Sequence, residues 1–163
     1  TLAPFTAFAR SAGRGIFVLV KTSNPGSGDF QDQVLAGSGA ALYEEVADSL
    51  AEVAEDLRGV KTGWSSMGVV VGATYPGPQE RVRELLPDAL FLVPGYGSQG
   101  GSAADSVRGF VPGPKGLEGG LVNTSRAVLY PDGADAGDAR SWETAFDEAL
   151  ARAIGELGEA VAR

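Results

Sequence analysis

Two short stretches carry the residue types from which an anion site is built. The first is "PGYGSQGG" (94–101), where four glycines, a serine and a glutamine follow an apolar run. Glycine-rich backbone leading into a helix at Ser102 offers unpaired N–H groups at a positive dipole end, which favours an anion. The second is "NTSRAV" (123–128). Its Arg126, just after the middle of a strand-like run, supplies a planar and permanently charged fork. Gly100, Gly101 and Arg126 would together surround a phosphate. The alternative is that the glycines only turn the chain and Arg126 pairs with a carboxylate, and residue types alone leave both open. The run is not a P-loop, since no Gly-Lys-Ser/Thr follows, and its G-x-G-x-x-G register at 95–100 is weak evidence for a dinucleotide.

A third stretch, "KTSNPG" (21–26), sets Ser23 and Asn24 at a strand end before a Pro-Gly turn. Both side chains could cap local backbone or read a ligand. Lys21 has the type of a catalytic lysine, and an ion-paired lysine explains it equally well. The carboxylates between 44 and 56 fall on a solvated helical face. Histidine and cysteine are absent, which excludes a Ser-His-Asp triad, a histidine base, a thiolate nucleophile, disulfides and His- or Cys-ligated metal within these residues. The missing cysteine fits a reducing cytosol. A net charge of −8 without a basic stripe argues against nucleic acid, and no apolar run approaches the roughly 20 residues that span a bilayer.

These loops must be held by the elements between them. Continuous apolar runs at 15–20, 67–73 and 90–95 read as parallel strands buried on both faces, with a fourth strand-like run at 120–130. Helical periodicity covers 39–59, 76–89, 102–110 and 141–163, the last with Trp142, Phe146, Leu150, Ile154, Leu157 and Val161 as its core stripe. Strand, loop and helix repeated four times predict an α/β fold with a parallel sheet, in one domain over 1–163. An open doubly wound sheet and part of a (β/α)8 barrel both suit this pattern. A full barrel takes roughly 250 residues, so four units and a start that enters mid-helix suggest strands 5–8. In either architecture ligands bind at the carboxyl ends of the strands, in the loops quoted above.

Taken in order, "VLVKTSNPGSGDFQ", "VVVGATYP", "LFLVPGYGSQGG" and "VNTSRAVLY" resemble the C-terminal half of the orotidine 5'-phosphate decarboxylase family, in its longer bacterial branch. The resemblance implies a TIM barrel and cofactor-free, metal-free decarboxylation of orotidine 5'-phosphate to UMP for pyrimidine synthesis, by a cytoplasmic homodimer. It implies that Ser23, helped by backbone at Thr22, bonds the pyrimidine amide edge. Pro94, Gly95 and Tyr96 would line pyrimidine and ribose. Gln99 would bridge base and phosphate, Arg126 would grip the phosphate with backbone N–H groups including that of Ser125, and the 96–104 loop would close over the ligand. The family's catalytic Asp-x-Lys-x-x-Asp motif has no match, because the three lysines stand at 21, 61 and 115. The chain is thus expected to carry the binding loops while the catalytic motif lies upstream of Thr1. Other readings are a different phosphosugar barrel of the same superfamily, or a non-catalytic phosphate-binding half-barrel.

Overall fold

The computed structural model describes residues 2–134 and 137–162. In chain order the elements are α1 (Ala3–Ala12), β1 (Ile16–Lys21), a 3-10 turn (Pro25–Ser27), α2 (Gly28–Gln31), α3 (Leu42–Asp56), β2 (Met67–Val71), α4 (Pro76–Leu85) and β3 (Phe91–Val93). Then follow α5 (Ala103–Ser106), β4 (Val111–Gly113), β5 (Gly116–Glu118), β6 (Gly120–Val122), α6 (Arg126–Leu129) and α7 (Ala139–Val161). β1, β2, β3 and β6 form one sheet in that order, every pairing parallel. Their carboxyl ends therefore share one edge, and the loops at 22–41, 72–75, 94–102 and 123–125 all open there.

Burial explains why β2 reads so clearly. All five of its residues are buried, because helices cover Met67, Val69 and Val71 while side chains of the flanking strands crowd Gly68 and Val70. One face packs on α1, α3 and α4 through Val69, Val71, Phe91, Val93, Ala47, Leu50 and Val82. The opposite face is apolar and largely uncovered. Leu19 pairs with Val70, Val70 with Leu92 and Leu92 with Leu121, and Phe17, Leu19 and Leu121 are 44%, 64% and 59% exposed. A second, smaller core joins Tyr96, Val128 and Ala153, with Phe146 and Leu157 against it.

At the edge opposite the loops, Arg83 acts as a staple. Its guanidinium donates to the carbonyls of Gly109, Leu86, Pro87, Ala89 and Gly119 over 2.7–3.2 Å and lies 3.9 Å from the Phe91 ring centroid. Burial without a carboxylate in contact lowers its pKa to about 10.

The structure corrects three expectations about the elements. The strand expected over 120–130 stops at Val122, and the chain turns into α6 after the Asn123 N–H donates to the Val93 carbonyl. Val128 and Tyr130 suit a strand by type, but packing of Val128 beside Ala153 overrides that preference. Arg126 consequently opens α6 instead of sitting within a strand. The core stripe expected on α7 is also rotated. Ala149, Ala153 and Ala160 are its buried residues, whereas Ile154 is 65% exposed. Finally, an antiparallel hairpin of β4 and β5 occupies 111–118, where no element was expected. Part of the glycine- and aspartate-rich loop at 131–139 lies outside the described residues.

Candidate functional site

Three of the loops converge on Ser23. This residue lies two positions beyond β1 and is 9% exposed. A Cβ at Gly72 would stand 2.7 Å from the Ser23 Cβ, and one at Gly95 would stand 2.8 Å from it. Those are distances side chains do not reach, so glycine at both places lets the ends of β2 and β3 close around the serine. Gly95 also holds φ +102°, a conformation L side chains rarely adopt. Gln79 braces the arrangement from behind. Fully buried, it donates to the Gly72 and Asp105 carbonyls and accepts from the Gly109 N–H.

Gln99 connects Ser23 to Arg126. In the amide orientation that satisfies both ends, its nitrogen donates to the Ser23 hydroxyl oxygen at 2.7 Å and to the Ser23 carbonyl at 3.1 Å. Its oxygen accepts from the Arg126 guanidinium at 3.0 Å. Arg126 forms no ion pair among the described residues, so four of its five N–H groups stay available. It lines a cleft of about 720 Å³ with Ser98, Tyr130, Asp132, Glu148 and Arg152. The N–H groups of Ser98, Gln99, Ser125 and Arg126 have no partner among the described residues.

Other expected site residues are placed differently. The Gly100 and Gly101 N–H groups, expected to face an anion, turn inward and donate to the carbonyls of Gly97 and Gly95 at 2.8 and 3.1 Å. The helix following Ser102, where an anion is also expected, is short. α5 is four residues long, and Ser102 and Asp105 cap its first turn reciprocally. The Tyr96 ring sits in the small core under α7, where its hydroxyl donates to Glu156 Oε2 at 2.7 Å. Burial and that carboxylate push the phenol up to about 12. Backbone is therefore what Tyr96 offers at the mouth. Pro94 donates nothing and gives its carbonyl to the Ala73 N–H. The Thr22 N–H donates to Gln31 Oε1 at 3.0 Å, while its hydroxyl donates to Asn24 Oδ1 at 2.7 Å.

Sequence reasoning did not single out Gln31, Asp32, Thr74 or Gln79. Thr74 Oγ1 donates to the Ser23 carbonyl at 3.3 Å. Each supports the mouth through backbone atoms or through residues far away in sequence, which spacing does not reveal. Among the described residues no cluster of acidic groups could hold a metal ion, and no helix is long and apolar enough to cross a membrane.

A family model described as orotidine 5'-phosphate decarboxylase / HUMPS family matches residues 1–139. The chain belongs to that family. Orotidine 5'-phosphate decarboxylase from Deinococcus radiodurans is 42% identical over 156 residues, covering 95% of this chain and 53% of that protein. Among solved structures, Leishmania donovani OMP decarboxylase superposes with TM-score 0.58 at 33% identity, over 92% of this chain and 51% of its own. Leishmania donovani UMP synthase superposes with TM-score 0.61 at 33% identity, over 92% of this chain and 30% of its own. The chain thus spans about half the length of the decarboxylases it matches. Its four parallel strands are consistent with part of a (β/α) barrel of that family, which favours the barrel over the open sheet. The family matches also cover the four stretches on which the resemblance rested.

Proposed function

We propose that residues 1–163 form, as one domain, the C-terminal, substrate-gripping part of an orotidine 5'-phosphate decarboxylase that converts orotidine 5'-phosphate to UMP without a cofactor. The observation that carries this reading is the Ser23–Gln99–Arg126 connection across the carboxyl ends of β1, β3 and β6. A buried hydroxyl at one end suits a pyrimidine amide edge, since a ring lacking the matching groups would leave polar atoms unpaired. A free guanidinium at the other end suits a phosphate. Gln99, touching both, would register whether base and phosphate are occupied together. The Ser98, Gln99 and Ser125 N–H groups replace those of Gly100 and Gly101 as the backbone donors to the phosphate. Pro94, Gly95 and the Tyr96 backbone would border the ring and ribose.

Phosphate binding remote from the reacting carbon can hold the 96–104 loop over the ligand and exclude water, which lowers the barrier to the chemical step. Loss of CO2 leaves an electron pair on the ring carbon, and a proton must reach it. No lysine of this chain is poised to supply one, since Lys21 is buried against Asp32, Lys61 lies in the connection from α3 into the amino end of β2, and Lys115 lies in the β4–β5 turn. The proton donor would belong to the family's Lys–Asp motif outside these residues, in a cytoplasmic homodimer.

The test is calorimetric titration with UMP and with ribose 5-phosphate. UMP is expected to bind at least tenfold more tightly, and Ser23→Ala should weaken UMP alone. Equal affinities for the two ligands in the unsubstituted protein would sink the reading.

A further inference from the structure

Lys21 is fully buried, at 0% exposure, yet it touches neither Gln99 nor Arg126. Its Nζ donates to Asp32 Oδ1 at 2.6 Å. The ammonium also lies 4.3 Å from the Tyr75 ring centroid and 5.9 Å from that of Tyr43, close enough for the rings' negative faces to attract it. Asp32 follows directly on α2, Tyr75 precedes α4, and Tyr43 belongs to the first turn of α3. One ammonium therefore ties β1 to three separate elements.

The consequence falls on the segment between. Residues 22–31 leave the sheet after Lys21, and the Asp32 carboxylate reaches back to the Lys21 ammonium, so the ion pair closes the neck of this loop. The contact between the Thr22 N–H and Gln31 Oε1 at 3.0 Å is a second rung across the same neck. Inside the loop, Ser27 Oγ donates to the Tyr75 hydroxyl at 3.1 Å, which anchors the loop's far side to the same aromatic ring. The strand itself is adapted to this arrangement. Its register slips between Leu19 and Lys21, and Val20 and Lys21 are both buried where alternation would bury one. Bulges re-aim side chains in this way beside functional sites.

We propose that Lys21 is a positioning residue for base recognition. By closing the neck of the 22–31 loop it sets where the Ser23 hydroxyl meets Gln99, and it does so without touching ligand. The inference rests on the assignment of Ser23 to the pyrimidine edge. It separates Lys21 from the phosphate end, because no contact of the neck involves Arg126, Ser98 or Ser125. Lys21 is thus specific to one half of the ligand, which a purely structural lysine would not be.

Lys21→Met provides the test. Methionine keeps the unbranched apolar stem among the two rings, and Asp32, with a side chain 48% exposed, is left solvated and not stranded. The readout is the ratio of UMP to ribose 5-phosphate affinity in folded protein. Lys21→Met should weaken UMP about tenfold and leave ribose 5-phosphate within twofold. Parallel loss of both ligands, or loss of neither, would overturn the proposal. Asp32→Asn, whose amide oxygen still accepts from the ammonium, should give the same split with a smaller loss. It decides the matter alone if Lys21→Met does not fold, because an unchanged ratio there also overturns the proposal. Failure of the underlying reading looks different, since the unsubstituted protein would then show no preference for UMP.

Discussion

The Gln99 side-chain nitrogen lies 2.7 Å from the Ser23 hydroxyl oxygen, although 75 positions separate the two residues in the chain. The approach is possible because glycine at 72 and 95 leaves room around Ser23. It places one amide in contact with both the buried and the charged end of the mouth.

Gln99→Leu should therefore cost more than one hydrogen bond. It removes the donor to Ser23 and the acceptor for Arg126 together, and we expect UMP affinity to fall by about 2–3 kcal/mol. A double-mutant cycle with Arg126→Ala should return a coupling energy of about 0.5–3 kcal/mol. Strict additivity would show that Gln99 and Arg126 act separately.

Arg126→Ala should weaken UMP by about 2–3 kcal/mol, and the weakening should shrink as salt is raised. Uridine, without a phosphate, should bind equally to both proteins. An unchanged UMP affinity would remove Arg126 from the site.

Gly95→Ala forces a Cβ onto a residue at φ +102° that already abuts Ser23. Stability should drop by about 1–3 kcal/mol in urea unfolding, and UMP discrimination should drop with it. An alanine variant of native stability and affinity would mean that the mouth is far more deformable than its packing implies.

Tyr96 should give stability an alkaline limit. Its folded pKa is raised to about 12 from 10, by burial first and by Glu156 next. The unfolded chain thus loses this proton before the folded protein does. The contribution is complete below pH 10 and disappears as pH rises towards 12. Tyr96→Phe should flatten that part of the stability–pH curve, with tyrosinate absorbance in the unsubstituted protein as the direct check.

Arg83→Met would take a donor from five carbonyls at the edge away from the site, of which those of Leu86 and Gly119 keep a backbone donor. Unfolding free energy should fall by more than about 3 kcal/mol, while the folded fraction binds UMP normally. A simultaneous loss of UMP affinity would show that the two edges of the sheet are coupled.

How far the fold is legible in the sequence depends on what each residue packs against. β2 is readable because "MGVVV" is buried on both sides, and the parallel order follows from the helices that alternate with it. The end of β6 is hidden, since Val128 and Tyr130 favour a strand while contacts with α7 dictate a helix. β4 and β5 are three residues each, too short for alternation to mark them. In the site, the roles proposed for Ser23, Gln99 and Arg126 rest on a family pattern, and the structure brings the three together. The direction of the Gly100 and Gly101 N–H groups and of the Tyr96 ring depends on loop closure and on α7. Neither is encoded near those residues.

The uncovered sheet face has a calorimetric consequence. Phe17, Leu19 and Leu121 already meet water in the folded state, so unfolding residues 1–163 by themselves exposes less new apolar surface than a closed domain of this length would. Their heat-capacity increment should fall below the usual figure of about 12–15 cal/mol/K per residue. The stability curve should then be unusually flat, with thermal and cold unfolding both broad transitions.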